Sequence, residues 1–85
     1  MKKEELNKKI ENYQSLYIKK ADSPPARFGK SLYVRKEHHE RIAQIISVIG
    51  KGKVSLYDYV DNVLTEHFER YHEEIVNSYI DKSIY

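Results

Sequence analysis

Apolar residues recur at helical spacing in three stretches of the chain. In residues 2–20 they fall at steps of four, three and four among lysines. This pattern predicts either an amphipathic helix or a basic arm that frays in isolation. Residues 36–49 and 56–80 carry longer apolar stripes and predict the two main helices. The N-terminal stripe consists of Leu6, Ile10, Tyr13 and Tyr17.

Capping residues predict where the two main helices begin and end. Arg35 occupies the N-cap position of the first helix, where it is a poor cap. Gly50 opens a Gly-x-Gly turn and suits a left-handed C-terminal cap. Ser55, with Asp58 three residues further on, forms a capping-box pattern at the start of the second helix. We therefore expect two helices joined by a short turn.

A short extended segment precedes the first main helix. Residues 27–34 are rich in strand formers towards their C-terminal end, which predicts one short β-strand. Because side chains alternate along a strand, Leu32 and Val34 share one face. The opposite face is polar and carries Ser31, Tyr33 and Arg35.

The chain divides into four parts. Residues 1–20 form the basic N-terminal segment, and residues 21–27 form a linker whose double proline disfavours helix. The domain proper covers residues 28–80, and residues 81–85 remain as a tail. At 85 residues the chain is one domain at most, and its own core is expected to be marginal.

The single strand decides the predicted architecture. A lone strand leaves backbone N–H and C=O groups unpaired on both edges, and the chain offers no second convincing strand. The simplest partner is the same strand of a second copy, paired antiparallel across a two-fold axis. We therefore predict a mainly α (α+β) fold: one short strand and two helices per chain, an intertwined dimer with a two-stranded ribbon, and an optional N-terminal helix. The predicted dimer core comprises Leu32, Val34, Ile42, Ile46, Val60, Val63 and Leu64.

The net charge of +2 conceals an asymmetry along the chain. Residues 1–36 hold ten Lys and Arg against four Asp and Glu, whereas residues 37–85 hold five against nine. A basic front half favours a polyanionic partner, although a solvated charged segment would look the same. There is no cysteine, no run that approaches a membrane span and no secretory signal, so we expect a cytoplasmic protein.

The polar face of the predicted ribbon would point outward, towards a ligand or towards solvent alone. A two-stranded ribbon fits the major groove of DNA, so Ser31, Tyr33 and Arg35 are candidates for contacts with bases. The phosphate backbone would meet basic side chains and the start of the second main helix. The candidates for these phosphate contacts are Arg27, Lys30, Lys51, Lys53, Ser55 and Leu56.

Catalytic and metal-binding patterns are weak in this chain. The sequence has no Gly-rich phosphate loop and no nucleophile elbow. Glu69 and His72 have the Glu-x-x-His spacing of di-iron bundles, but the chain holds one such pair without a matched carboxylate helix. We therefore expect no enzymatic activity, no metal and no cofactor.

The run Lys30-Ser31-Leu32-Tyr33-Val34, the following helix, the Gly-x-Gly turn and the Ser-capped second helix resemble the ribbon-helix-helix family. Within that family, small uncharacterised proteins carried by conjugative transposons are similar to the stretch from Leu32-Tyr33-Val34 through His39-Glu40-Arg41-Ile42 to Tyr59-Val60-Asp61-Asn62-Val63-Leu64. The resemblance implies a dimeric DNA-binding protein. It also implies groove-reading positions at Gly29, Ser31 and Tyr33, and a phosphate clamp at Ser55 and Leu56. Gly29 leaves one reading position without a side chain.

Two functions follow as hypotheses. The first is a sequence-specific DNA-binding homodimer, with higher oligomers on DNA left open. It would act as a transcriptional regulator or as an accessory transfer or partition factor of a mobile element. The alternative is a helical protein–protein interaction module with little DNA specificity, such as an antitoxin-like protein or a transfer-complex subunit. Its partner would bind the N-terminal segment or the C-terminal tail.

Overall fold

The computed structural model describes residues 2–21 and 29–83, and most of these residues are helical. The helix α3 lies at the centre of the fold, because α1 and α2 both pack against it. No helix in the described ranges is long and apolar enough to cross a membrane. The four helices are α1 (Lys2–Tyr17), α2 (Lys36–Val48), α3 (Leu56–Arg70) and α4 (His72–Ser83).

The predicted β-ribbon fold is wrong, because the described residues contain no strand. Residues 30–35 run up to the start of α2 without helix or strand structure. A strand exists as part of a hydrogen-bonded ladder, and the described residues offer this segment no second strand to pair with. The strand preference of Leu32, Tyr33 and Val34 is therefore a local tendency that yields an extended segment only. The fold class is all-helical in the described residues, in place of the mainly α (α+β) ribbon-helix-helix.

The helix α2 begins without a side-chain cap and ends in a tight turn. Arg35 is its N-cap residue, and only the Arg35 carbonyl contributes, accepting the His39 N–H at 3.0 Å. The left-handed conformation predicted for Gly50 falls instead on Lys51 and Gly52, with φ of 51° and 78°. Gly50 is needed for a different reason. A Cβ there would lie 2.6 Å from the backbone oxygen of Ile46, so the close approach excludes a side chain.

The predicted single helix from residue 56 to residue 80 is interrupted at Tyr71. The Tyr71 backbone has φ −107° and ψ 21°, and this residue separates α3 from α4. Hydrogen bonds continue on both sides of the interruption, since the Tyr71 N–H bonds to His67 and the Ile75 N–H bonds to Tyr71. The two helices therefore follow one another directly along the chain.

The apolar core of a single chain is small. Val54, at 9% exposure, is the one hydrophobic residue that is buried among the described residues. The Cα radius of gyration is 16.2 Å. A compact chain of this length would have a radius of about 12 Å. The helices therefore leave much of their apolar surface open, and this surface determines where binding sites can lie.

Candidate functional site

An apolar groove of about 440 Å³ opens between residues 30–34 and the helices α2 and α3. We call this surface the apolar groove. The extended segment forms one wall, and side chains of α2 and α3 form the other. Its apolar lining comprises Leu32, Val34, Ile42, Leu56, Val60 and Leu64, and its remaining lining comprises Lys30, His39, Tyr57 and Asp61.

The extended segment presents different residues to the groove and to solvent. Leu32 and Val34 line the groove, whereas Ser31, Tyr33 and Arg35 do not. The sequence predicts this alternation from strand geometry, and the segment keeps it without strand pairing. The segment therefore has one apolar and one polar face, as an extended backbone requires.

The residues predicted to form the dimer core divide into two groups. Five of the seven line the apolar groove and so lie together on one surface. Ile46 and Val63 lie outside that lining and are half-buried. Leu32 remains 85% exposed in the single chain. The groove is thus an apolar surface that a single chain leaves open to solvent.

The three residues predicted to contact bases are all exposed. The Tyr33 side chain has 101% exposure and no neighbour shields it. Arg35 is engaged locally, with its guanidinium 2.9 Å from His38 Nε2 and 3.6 Å from a Glu37 carboxylate oxygen. Both of these contacts are exposed, so they hold Arg35 only weakly.

The residues predicted to contact phosphates lie at different places in the structure. Lys51 and Lys53 lie exposed on the turn before α3, and Lys30 is exposed at the groove. Leu56 is half-buried in the groove lining, and Ser55 caps α3. The remaining predicted residue, Arg27, lies outside the described residues.

The start of α3 is capped with the help of the carboxylate of Asp58, a residue of the same helix. Asp58 and Ser55 form a reciprocal capping box, in which Ser55 Oγ accepts the Asp58 N–H at 3.0 Å and Asp58 Oδ2 accepts the Ser55 N–H at 2.9 Å. Asp58 Oδ1 also accepts the N–H of Ala21 at 3.0 Å. Asp58 therefore joins the start of α3 to the chain that leaves α1.

Opposing effects set the pKa of the Asp58 carboxyl. Burial raises the pKa, because it disfavours the charged form. Hydrogen bonds from Ser55 and from the Ala21 N–H, with a further contribution from Lys20, lower the pKa and prevail. The pKa of Asp58 therefore lies below its ordinary value, and the carboxylate is charged at neutral pH.

Asn62, one turn further along α3, completes the attachment of α1. Its Nδ2 donates to the backbone oxygens of Tyr17 at 3.1 Å and Lys19 at 2.8 Å. Asp58 and Asn62 are each only 6% exposed, and they are the buried polar residues of the described chain. We call this pair the polar clamp. The two backbone oxygens lie 45 and 43 residues away from Asn62 along the chain.

Three tyrosines form the rest of the contact between α1 and α3. The hydroxyls of Tyr13 and Tyr59 lie 2.6 Å apart, and the Tyr17 hydroxyl donates to Glu66 at 3.2 Å. Burial, followed by the hydrogen bond with Tyr13, raises the pKa of Tyr59. Burial and the charge of Glu66 raise the pKa of Tyr17. The helix α1 is thus held by hydrogen bonds and by the contact between the Tyr17 and Tyr59 rings.

We expect the docking of α1 to weaken above about pH 10, the ordinary pKa of tyrosine. The raised pKa values of Tyr59 and Tyr17 mean that the unfolded chain loses these protons first. Their stabilising contribution is therefore complete below pH ~10 and is lost as the pH rises through the folded-state pKa. Urea unfolding at a series of pH values measures this decline.

A matched pair of variants tests the assignment of this alkaline effect. Tyr59→Phe should flatten the decline, because it removes the most perturbed hydroxyl from the contact. Tyr33→Phe removes a hydroxyl from an exposed ring and should leave the decline unchanged. The same alkaline decline in both variants would contradict a role for the α1–α3 tyrosines.

The fold and these surfaces define a small helical protein with a polar clamp between α1 and α3 and an open apolar groove between α3, α2 and residues 30–34. Within residues 2–21 and 29–83, no three His, Asp or Glu side chains are placed to hold a metal ion. The chain belongs to the family described as Protein of unknown function (DUF3408), which matches residues 1–82. No curated protein and no solved structure matches the chain. The match includes α1, so the clamped N-terminal helix is part of the shared family region.

Proposed function

We propose that this protein binds double-stranded DNA as a homodimer, with the apolar groove as the dimer interface and the polar face of residues 31–35 as the DNA-contacting surface. The observation that carries the proposal is the two-faced extended segment. Leu32 and Val34 line the groove, while Tyr33 and Arg35 point away from its lining and are exposed. No strand pairing is needed for this arrangement.

The amount of apolar surface that one chain leaves open supports the proposed homodimer. Small chains bury a limited share of their surface, and here only Val54 is a buried hydrophobic residue in the described ranges. A second copy seated on the groove would cover Leu32, Val34 and Leu64, which are all exposed in the single chain. Covering this surface supplies the core that one chain lacks.

Charge and exposure favour DNA as the ligand of the polar face. The segment and the first residues of α2 carry Lys30, Arg35 and Lys36, all exposed. The first 36 residues hold most of the basic residues of the chain. Basic side chains give affinity for phosphates, and an exposed tyrosine, serine and arginine can contact base edges. Assembly of further dimers along the DNA is compatible with this arrangement.

The biological role we propose is regulation of transcription, or an accessory role in transfer or partition of a mobile element. It rests on the sequence resemblance to small conjugative-transposon proteins. The polar face of residues 31–35 is the surface through which such a role would be exerted.

Two neighbouring substitutions test the proposal, because they change opposite faces of the same segment. Leu32→Asp should convert the dimer to monomer in sedimentation experiments, since it places a charge in the apolar groove. Tyr33→Asp introduces the same charge one residue further on and should leave the dimer intact. A monomeric wild-type protein, or equal loss of dimer in both variants, would overturn the homodimer.

DNA binding is tested by selecting bound sequences from a pool of random duplexes and then measuring affinity by fluorescence anisotropy. We expect a short repeated or palindromic site. Tyr33→Ala with Arg35→Ala should weaken binding to it by about tenfold or more, the loss that one good base contact implies. Lys8→Ala with Lys9→Ala is the control on α1 and should change affinity less. An intact dimer without sequence enrichment would overturn DNA recognition and favour the protein-interaction alternative.

A further inference from the structure

We infer that His38 controls the DNA contact of Arg35 through a hydrogen bond that exists only while the His38 ring is neutral. This inference rests on the DNA-binding function proposed above and adds a means of regulating its polar face. His38 is a positioning residue, because it acts on the DNA contact through Arg35.

Arg35 and His38 meet at the start of α2. Arg35 is the N-cap residue and His38 is the third residue of the helix, so both side chains lie on one side of the first turn. The distance between Arg35 Nη2 and His38 Nε2 is 2.9 Å, which is within the range of a hydrogen bond. The contact therefore ties a predicted DNA-contacting side chain to its own helix.

The chemistry of the two side chains fixes their protonation in this contact. An arginine side chain has donors and no acceptor, and it stays protonated in proteins. His38 Nε2 must therefore accept the hydrogen bond, which requires a neutral ring with its hydrogen on Nδ1. A second proton on the ring would turn Nε2 into a donor and would place two positive charges beside each other. Protonation of His38 therefore breaks the contact.

Two elements bring charged groups towards His38, its own helix α2 and the helix α3 that packs on α2. On α2, Glu37 interacts with Arg35, at 3.6 Å between Oε2 and Nε. On α3, Asp61 lines the apolar groove with His39, whereas the exposed His38 lies outside that lining. A proton on His38 therefore acts most directly on Arg35. The other ionisable residues in the first turns of α2 are Lys36, Glu40 and Arg41.

Loss of the contact frees Arg35 for DNA. Arginine contacts guanine through two neighbouring nitrogens, and in this structure Nη2 is engaged with His38. Protonation of His38 releases that nitrogen and adds a positive charge beside the polar face, and both changes favour DNA. Histidine side chains ordinarily take up this proton near pH 6.5. DNA binding should therefore strengthen as the pH falls from about 8 to about 5.5.

Substitutions of His38 in the full-length chain test this inference by fluorescence anisotropy with the selected DNA site at both pH values. Wild-type affinity should rise by about fivefold at the lower pH, since two copies each release one weak hydrogen bond. His38→Gln should lose this rise, because the glutamine oxygen can accept from Arg35 at either pH. His38→Ala offers no acceptor and should bind more tightly than the wild type already at the higher pH.

Two further variants separate a role through Arg35 from a general effect of charge. His72→Gln removes a histidine from an exposed position on α4 and should keep the full rise in affinity. Arg35→Ala should lose most of the rise, although His38 can still gain its proton. Sedimentation should show the same dimer at both pH values. A full rise in Arg35→Ala, or His38→Ala that binds no more tightly than the wild type at the higher pH, would overturn the inference.

NMR of the histidine ring nitrogens measures the contact in the absence of DNA. At about pH 8, above the ordinary histidine pKa, we expect His38 Nε2 without a hydrogen and Nδ1 with one. In Arg35→Ala this preference should be lost, and the ring of His72 should not change. A hydrogen on His38 Nε2 in the wild type would rule out the contact with Arg35.

The outcomes distinguish this inference from the proposed DNA binding. If the wild type selects no DNA site, the proposed function fails, and the ring-nitrogen signals still decide whether the contact exists. If the wild type binds a selected site with an affinity that does not depend on His38, DNA recognition stands and only the role of His38 fails.

Discussion

Replacing Asp58 with alanine should destabilise the protein by about 3–6 kcal/mol, the contribution of roughly two hydrogen bonds to a charged group. The Asp58 carboxylate accepts hydrogen bonds from the N–H groups of Ser55 and Ala21. In the folded variant both N–H groups would lose this acceptor. The substitution also removes the charge that favours the start of α3. A small domain has little stability to lose, so a large fraction of the chains should unfold. Urea unfolding followed by circular dichroism measures the effect.

The pH dependence of this variant gives an independent check. Because the pKa of Asp58 is lowered by folding, its contribution is present above the ordinary carboxyl pKa of about 4 and is lost as the pH falls through the folded-state value. Asp58→Asn should therefore lose part of the acid sensitivity of the wild type. Asp81→Ala removes an exposed carboxylate from α4 and serves as the control. Wild-type stability in Asp58→Ala, or loss of stability in Asp81→Ala, would contradict the polar clamp.

Replacing Asn62 with alanine should release α1 from α3, at a cost of about 1–3 kcal/mol for each carbonyl left without a partner. The amide of Asn62 bonds the backbone oxygens of Tyr17 and Lys19, where α1 ends and its carbonyls lack helical partners. The effect should be local, since α2 packs on α3 without using this amide. The rate of backbone hydrogen exchange should increase much more in α1 than in α3.

The control for this prediction is another asparagine. Asn77→Ala removes an amide from an exposed position on α4, and exchange in α1 should not change. Uniform acceleration across α1, α2 and α3 in Asn62→Ala would show that the clamp supports the whole fold. Unchanged exchange in α1 would show that the tyrosine contacts hold the helix without it.

The sequence predicts the helices better than it predicts their assembly. The stripe at Leu6, Ile10, Tyr13 and Tyr17 indicates α1, and the Ser55–Asp58 pattern locates the start of α3. These signals succeed because they are local: helix periodicity and capping depend on residues within a few positions of each other. The interruption at Tyr71 has no comparable marker, because neither glycine nor proline occurs there.

The sequence likewise predicts only part of the candidate site. The alternation of Leu32 and Val34 with Tyr33 follows from extended backbone geometry and is present without a strand. The predicted strand is wrong, because pairing needs a second strand and residues 2–21 and 29–83 contain none. The sequence does not predict the polar clamp. Nothing near Asp58 along the chain indicates its contact with Ala21, and nothing near Asn62 indicates its contact with Tyr17.

The sequence by itself determined the two main helical stretches apart from the interruption at Tyr71, the capping box, the two faces of residues 31–35 and the basic front half of the chain. Each of these depends on neighbours along the chain or on composition. Only the tertiary structure decided that α1 is clamped to α3, that Asp58 also accepts the N–H of Ala21, and that the groove residues lie together. Those features depend on contacts between residues tens of positions apart, which local propensity does not encode.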